Sequence, residues 1–492
     1  MLRTLDVRLA LKSLAMLVPT FLLGIAAAQV PLTQISSDTF TNTSSQHETE
    51  VEPASYSVGN TIVTLFQIGR FTDGGASDIG FSTSTNGGVT WTHGNLPGIT
   101  KVEGTGKYDR ASDPSITYNT KFKVWLAETL ALSSFGGAHG AAVLVSSSVD
   151  GITWSNPVTV STVEQGGFYD KPWIGCDNTP TSKYYGNCYM EWDDFSLFDL
   201  IEMSTSHDGG KTWSFKKTTA ASDSGNGGIP LVQPNGTVIV PIDDPFLSSV
   251  LAFKSTDGGN SWTSTVTVAI IDEHGVAGGM RALPLISAQM DAAGTVYVAW
   301  ADCRFRANCT SNDIVYSTSA NGTNWTAPKR VPIDLTSSTV DHFTPGFAIQ
   351  KGTSGSTAHI GLTYYFFPKA SCGSVCNLSV GYISSSNGGS TWSAAQTLAK
   401  GINPSWLPST TSGQMTGDFI ATSFVDTKAH GVFATAKAPV GSTLNEAMET
   451  NQFGMPDVSP GEPQFSSAND KPVPNAHSDV PRRTQPHRDD ER

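Results

Sequence analysis

An eight-residue pattern, S-x-D-x-G-x-T-W, recurs along this 492-residue chain and constrains its fold more than any other feature. It is complete at 206–213 (Ser206, Asp208, Gly210, Trp213) and, with Ser261 in the threonine place, at 255–262 (Ser255, Asp257, Gly259, Trp262). Asn86 and Asn387 replace the aspartate in the copies at 84–91 and 385–392. Two copies are degenerate: counted from Ser147, Asp150 sits one place late before Trp154, and counted from Ser319 the copy ending at Trp325 is one residue short. An Asp or Asn followed by glycine bonds its own turn and leaves positive φ to a residue that tolerates it, so each copy reads as a β-hairpin turn. Runs of strand type lie upstream, as at 61–66 and 295–300.

A second repeat runs in phase with the first. Pro53, Pro114, Pro172, Pro230, Pro284 and Pro345 are separated by 61, 58, 58, 54 and 61 residues, and proline is tolerated at the first residue of a strand, so each is expected to open an inner strand. A unit then reads strand, hairpin, strand, loop, strand, boxed turn, strand, and four antiparallel strands per roughly 40–50 residues make a propeller blade. Beyond the last box, 417–424, 430–435 and 446–450 read as three more strands. A strand at 32–36 would supply the fourth and close the ring, removing exposed edges. The expected fold is all-β, a seven-bladed β-propeller of four-stranded antiparallel blades over residues 29–453, with six blades as the alternative.

Composition agrees. Charged residues are 15% of the chain, against about 25% in an average soluble protein, and glycine is abundant, which disfavours long helices. With 30 Lys+Arg against 43 Asp+Glu and a net charge of -13, phosphate neutralisation has no basis and nucleic acid is not an expected partner. Arg3, Arg8 and Lys12 precede an apolar run at 14–28 ending in Ala26, Ala27 and Ala28, the order of a secretory signal peptide, assigned to 1–28. About 15 apolar residues interrupted by Pro19 fall short of the roughly 20 that span a bilayer, so no membrane span is expected after cleavage. A secreted or periplasmic location makes disulfides the simplest use of six cysteines, which fall into the local pairs Cys176 with Cys188, Cys303 with Cys309, and Cys372 with Cys376. Residues 454–492 are rich in Pro, Ser and charge and read as a disordered tail. A monomer is expected.

The boxed turns are those called Asp-boxes, or bacterial neuraminidase repeats, and over about residues 30–453 the chain resembles the sialidase-like β-propeller superfamily. The stretches around Asp113-Pro114-Ser115-Ile116 and Asp170-Lys171-Pro172-Trp173 are similar to those of secreted bacterial proteins described as exo-sialidases or glycosyl hydrolases. That resemblance implies a glycan substrate, three arginines clamping a substrate carboxylate, a tyrosine nucleophile assisted by a glutamate, an aspartate acid/base, and neither metal nor cofactor. The family's Arg-Ile-Pro, which carries its first clamp residue, is replaced here by Val51, Glu52 and Pro53. Arg70 and Asp73 stand where the family has its second arginine and its aspartate, with Asp78 as a rival acid.

Propeller geometry places residues before each repeat proline, and the loops between second and third strands, around one mouth. The first set contains Tyr108, Asp109, Arg110, Asp113, Tyr169, Asp170, Lys171, Arg281, Asp341, His342, Gln414 and Asp418; the second contains Arg70, Asp73, His139, Asp193, Asp194, Asp243, Asp244, Asp302, Arg304 and Arg306. Arg70, Arg281 and Arg304 can clamp an acidic sugar through the planar guanidinium fork. Asp73 or Asp109 can act as the acid and Tyr108 or Tyr169 as the nucleophile, with Arg110, Asp170, Asp341 and His342 as further substrate contacts. Asp113 and Asp170 read equally as caps of inner strands, and Arg304 and Arg306 as ion-pair partners of Asp302. No cysteine or histidine spacing indicates a metal site. The expected function is a secreted exo-glycosidase of sialidase type acting on terminal, including acidic, sugars; the alternative is a non-catalytic propeller that binds carbohydrate or protein.

Overall fold

A computed structural model describes residues 30–135, 137–373, 376–456 and 464–473; the expected signal peptide lies outside the described residues. The boxed turns form through their own side chains. Asp208 Oδ1 accepts from the backbone N–H of Lys211 at 3.0 Å and of Thr212 at 2.9 Å, Ser206 Oγ accepts from Gly210 N, and Trp213 Nε1 donates to Gly210 O. In the degenerate copy Ser148, not Ser147, takes the serine role, donating to Asp150 at 2.9 Å and accepting from Gly151 N. That copy is therefore one residue short, like the one at Ser319, and its aspartate is in the usual place.

The tryptophan of a box is a wedge between sheets. Trp154 meets Phe81 at 6.0 Å, Trp262 meets Tyr189 at 6.1 Å and Trp392 meets Tyr316 at 6.2 Å, in each case an aromatic residue of the preceding sheet. Large apolar rings at this joint supply contact area and edge-to-face geometry together.

The strands form successive antiparallel sheets. The first contains Glu50–Val58, Thr61–Arg70, Ala76–Ser84 and Thr92–Asn95, and the second Arg110–Asn119, Val124–Ser133, His139–Ser148 and Val158–Thr162; a single pair, Ala76 opposite Ala111, joins them. The third is three-stranded, Tyr169–Cys176, Cys188–Asp194 and Leu200–Ser206, with isolated bridges from Met203 to Lys217 and from Leu200 to Ser224 where a fourth strand would lie. The fourth begins at Leu231–Val232, the fifth at Ser287–Met290 and the sixth at Asp341–Ile349, and each has four strands. The last joins Ala421–Val425, Lys428–Ala436 and Glu446–Asn451 to the amino-terminal strand Leu32–Gln34, in register from Leu32 opposite Asn451 to Gln34 opposite Glu449.

Hydrogen bonds from side chains link each sheet to the next. Gln67 Nε2 donates to Ser112 Oγ, Ile174 N to Ser115 Oγ, Gly228 N to Glu191, Ile286 N to Asp243 and Phe347 N to Ser287 Oγ, all at 2.9–3.1 Å. Thr422 Oγ1 donates to Gly346 O, and Ser57 Oγ to Phe424 O, which brings the circuit back to the first sheet. One cavity of about 440 Å³ is lined from all of these sheets, by residues including Tyr56, Ile116, Ile174, Leu231, Ala288, Phe347 and Ala421.

Two expectations are corrected. Pro53, Pro114, Pro172 and Pro345 do not open their strands; they lie at bulges a few residues in, where the register shifts. Within the region read as a disordered tail, residues 464–473 lie against the sheets: Phe465 and Trp392 exchange backbone hydrogen bonds, Asp470 pairs with Arg330 at 3.2 Å and Val473 N donates to Arg304 O. The three local disulfides are formed. No helix among the described residues is long and apolar enough to cross a membrane.

The carboxyl groups of Glu50, Asp78, Glu128, Glu191, Asp243 and Glu446 are among those fully buried. Burial pushes each well above the ordinary carboxylate range, so they fold as neutral acids. A raised folded pKa contributes stability that is complete below the unfolded value, near 4, and is lost as pH rises through the folded value. Asp150 is the opposite case: backbone donors from Thr153 and Ile152 hold it down to about 2, and its contribution is lost as pH falls. Unfolding free energy should therefore peak at mildly acidic pH and decline toward pH 9, and replacing Glu50 and Glu446 together by Gln should flatten the decline. Chemical denaturation at pH 5, 7 and 9 measures this; stability rising steadily from 5 to 9 contradicts it.

Candidate functional site

Glu52, Asp113, Lys171 and Thr344 each precede a proline and each adopt a left-handed backbone, with φ of 56°, 44°, 46° and 47°. This conformation costs a non-glycine residue about 1–2 kcal/mol, and a following proline normally drives its predecessor to extended geometry. Such strain persists only where surrounding contacts over-determine it. Three of the four positions carry charged groups, and those groups converge.

Lys171 Nζ lies 2.9 Å from Asp113 Oδ1 and 2.7 Å from Asp418 Oδ2. Arg281 grips Asp418 with two parallel bonds, Nε to Oδ1 at 2.8 Å and Nη2 to Oδ2 at 2.6 Å. The backbone N–H of Asp418 reaches Glu52 Oε1 at 3.4 Å, while Gln67 Nε2 donates to Glu52 Oε2 and Arg70 Nη1 donates to Gln67 Oε1. Lys171, the most exposed of the group, is only 5% accessible. Glu52 is pushed up to about 8, by burial first and then by Asp113, with Lys171 opposing. Glu52 thus keeps its proton near neutrality, while Asp113 and Asp418 share the Lys171 ammonium. Asp113 Oδ2 is buried without a hydrogen-bond partner among the described residues, beside a narrow cleft of about 20 Å³ formed with Lys171, Trp173, Gly227, Leu285 and Phe419. That is room for a water molecule. A hairpin, Ser409–Thr410 paired with Gly413–Gln414, crosses nearby, bonding Thr72 O through Thr411 N and Gly279 O through Gln414 N.

The structure distributes the residues expected from sequence among several groups. Arg281 and Arg70 belong to the axial cluster. Asp73 is bound by Arg110, Nη1 to Oδ1 at 2.6 Å, and the guanidinium lies 4.1 Å from the centre of the Phe71 ring. Asp109 accepts from Lys101 and from Ser134 N, bonds that outweigh burial and lower its pKa. Tyr108 sits beside it against the second sheet's core, with Lys107 over its ring. Tyr169 does not present a nucleophile to the mouth: strand alternation turns it inward, where its hydroxyl meets Ser161, Thr162 O and Lys216 and its ring packs on Trp192. Asp170 accepts from Lys171 N. Arg304 is occupied by Asp302 at 2.6 Å and does not join a clamp with Arg70 and Arg281.

Asp341 accepts from Asn312 N. His342 belongs with Asp313 and Asp334, the one group whose donor atoms could surround a metal among the described residues. Arg306 and Arg330 already occupy both carboxylates, so this group does not fit a cation. Sequence reasoning did not assign Glu52 a role, because its place read as the site of a missing arginine; the proline after it was the available signal.

The sequence matches no protein-family model and no curated protein. Among solved structures, it is similar in fold to a polysaccharide lyase, ulvan lyase, at 11% identity over 85% of this chain and 95% of that one, with a TM-score of 0.48. An intramolecular trans-sialidase from Ruminococcus gnavus is 13% identical over 86% of this chain and 99% of that one, with a TM-score of 0.41. A Hadza microbial sialidase is 12% identical over 82% and 66%, with a TM-score of 0.43. These are likenesses in the arrangement of strands and carry no residue roles to this chain.

Removing Lys171 leaves two buried carboxylates facing each other. Lys171→Met should cost about 3–5 kcal/mol at pH 7, and Asp113→Asn in the same chain should recover part of it. Denaturation of the two singles and the double checks this; additive losses would show that Lys171 and Asp113 are not coupled.

Proposed function

We propose that this chain is a secreted, monomeric, seven-bladed propeller of sialidase-like type that hydrolyses glycans at the axial cluster. The seven blades are the successive sheets, closed by Leu32–Gln34, and the side-chain circuit supports their arrangement in a ring. The three disulfides fit an oxidising compartment, and the boxed turns support kinship with glycan-acting propellers. The observation that carries the reading is Glu52, whose carboxyl is pushed up to about 8 by burial beside Asp113, since a carboxyl that keeps its proton near neutrality can give it to a leaving glycosidic oxygen.

The roles follow from hydrogen bonding. Glu52 gives its proton to the glycosidic oxygen as the bond to the anomeric carbon breaks. Asp113, with one oxygen on Lys171 and one free, takes the proton of the water that adds to that carbon. Asp418 has both oxygens held by Arg281 and Lys171 and acts as a positioning residue. Arg281, Arg304 and Arg110 each already bind a protein carboxylate, so the reading moves from acidic to neutral sugars. The narrow cleft favours a second reading, a propeller that binds glycan without turnover, because its roughly 20 Å³ holds a water molecule and not a sugar ring.

Release of reducing ends from a panel of neutral and acidic glycans separates the two. Glu52→Gln and Asp113→Asn should each lower turnover by about 10²–10⁴-fold. The wild-type rate should fall as pH rises past about 8, the pKa of Glu52, and Glu52→Gln should lose that limb. Binding without turnover on any glycan would establish the second reading, and full activity in both variants would remove the axial cluster from the reaction.

A further inference from the structure

The connection after Cys188–Asp194 carries Phe195, Leu197 and Phe198 in four residues. Leu197 is 56% and Phe198 50% exposed, an unusual display in a loop flanked by Asp193, Asp194 and Asp199. The loop is built, not loose. Asp194 caps the short turn Phe195–Leu197 by accepting from Ser196 N at 3.0 Å, Phe168 N donates to the same carboxylate, and Phe195 N donates to Phe168 O at 2.8 Å. Phe198 is held at φ 64° and Asp199 at φ 53°. A bulky residue in left-handed geometry is a genuine outlier, and strain of this kind collects where a side chain must be aimed.

The rings form a ledge. Phe168 meets Phe195 edge-on at 5.4 Å with His139 at 6.3 Å, and Phe198 meets Phe246 at 5.8 Å. Phe168 and Phe195 line a cleft of about 570 Å³, within the roughly 300–1,000 Å³ usual for ligand clefts; Phe198 lies just beyond it in the chain, and the cleft's polar side chains are His139, Glu164, Gln165 and Ser196. Among the described residues, neither lysine nor arginine lines it. The ledge is also joined to the axial cluster through one strand. Tyr169 and Asp170 pair with Asp194 and Asp193, so the strand leaving Phe168 arrives at Lys171 three residues later, about 10 Å at strand rise.

We infer that this ledge is a platform for a neutral polysaccharide chain, with Phe168, Phe195 and Phe198 stacking on successive sugar rings and Gln165, Glu164 and Ser196 bonding their hydroxyls. Pyranose rings have an apolar face and a polar rim, which matches tilted aromatics edged by short polar groups. The acidic surroundings disfavour a polyanion, and the absence of basic groups disfavours an anionic membrane. The inference rests on the glycan-acting reading and deepens it: the substrate is a polymer that reaches across the rim, not a single terminal residue.

Affinity electrophoresis of the full chain in gels containing hydroxyethylcellulose, galactomannan or polygalacturonate tests it. Retardation is expected in a neutral polymer and not in polygalacturonate. Phe198→Ala, at an exposed position that does not threaten folding, should weaken it at least fivefold, as should Gln165→Ala. Phe215→Ala, equally apolar and 84% exposed beyond the boxed turn of the third sheet, should change nothing. Asp113→Asn should be retarded like wild type, so loss of turnover in that variant and loss of retardation in Phe198→Ala fail separately. No retardation in either neutral polymer, or wild-type retardation in Phe198→Ala, overturns the platform. So does binding to phosphatidylcholine vesicles that depends on Phe198 without any polysaccharide retardation.

Discussion

A left-handed residue locked in front of a proline is the constraint on which the centre of this protein depends. At Glu52, Asp113 and Lys171 the backbone takes a conformation that a side chain resists and that the proline opposes. The bulge that results turns a charged group out of the alternating pattern of the strand. Lys171 then bridges Asp113 and Asp418, Arg281 clamps Asp418 from the other side, and Glu52 is left buried beside them with its proton. Each charge in the cluster is tolerable only because the others are there, since an isolated buried ion would cost several kcal/mol. Strain and desolvation are thus met by the same ion pairs.

Much of the fold was legible because its determinants are local. A serine, an aspartate, glycines and a tryptophan within eight residues specify a turn and the wedge behind it, and the paired cysteines are near neighbours in sequence. The strand at 32–36 could be assigned to the last sheet because three strand-like runs after the sixth box lacked a fourth. The bulges were less legible: proline predicts an extended predecessor, and nothing local announces positive φ. The segment at 464–473 is mostly polar, yet Phe465 and Asp470 find partners on Trp392 and Arg330 that composition alone does not reveal.

The candidate site was legible in position and not in pairing. Residues just before the repeat prolines do gather, but Arg281 finds Asp418, 137 residues away, instead of a ligand. Tyr169 stands at the right place along its strand and on the wrong face of it. Arg304 is satisfied by Asp302 two residues earlier. In each case the missing information is which way a side chain turns and which partner is nearest in space. The same geometry leaves Arg281 and Arg304 on protein carboxylates instead of open to an acidic sugar.

The most direct measurement is a crystal structure of the Glu52→Gln variant soaked with a neutral oligosaccharide. The account predicts that the cleft beside Asp113 has widened, that a glycosidic oxygen lies within hydrogen-bond distance of the side chain at position 52, and that further sugars lie over Phe168 and Phe195. A sugar bound in the 440 Å³ cavity among the first strands, with the Lys171, Asp113 and Asp418 contacts unchanged and the rim empty, would contradict it.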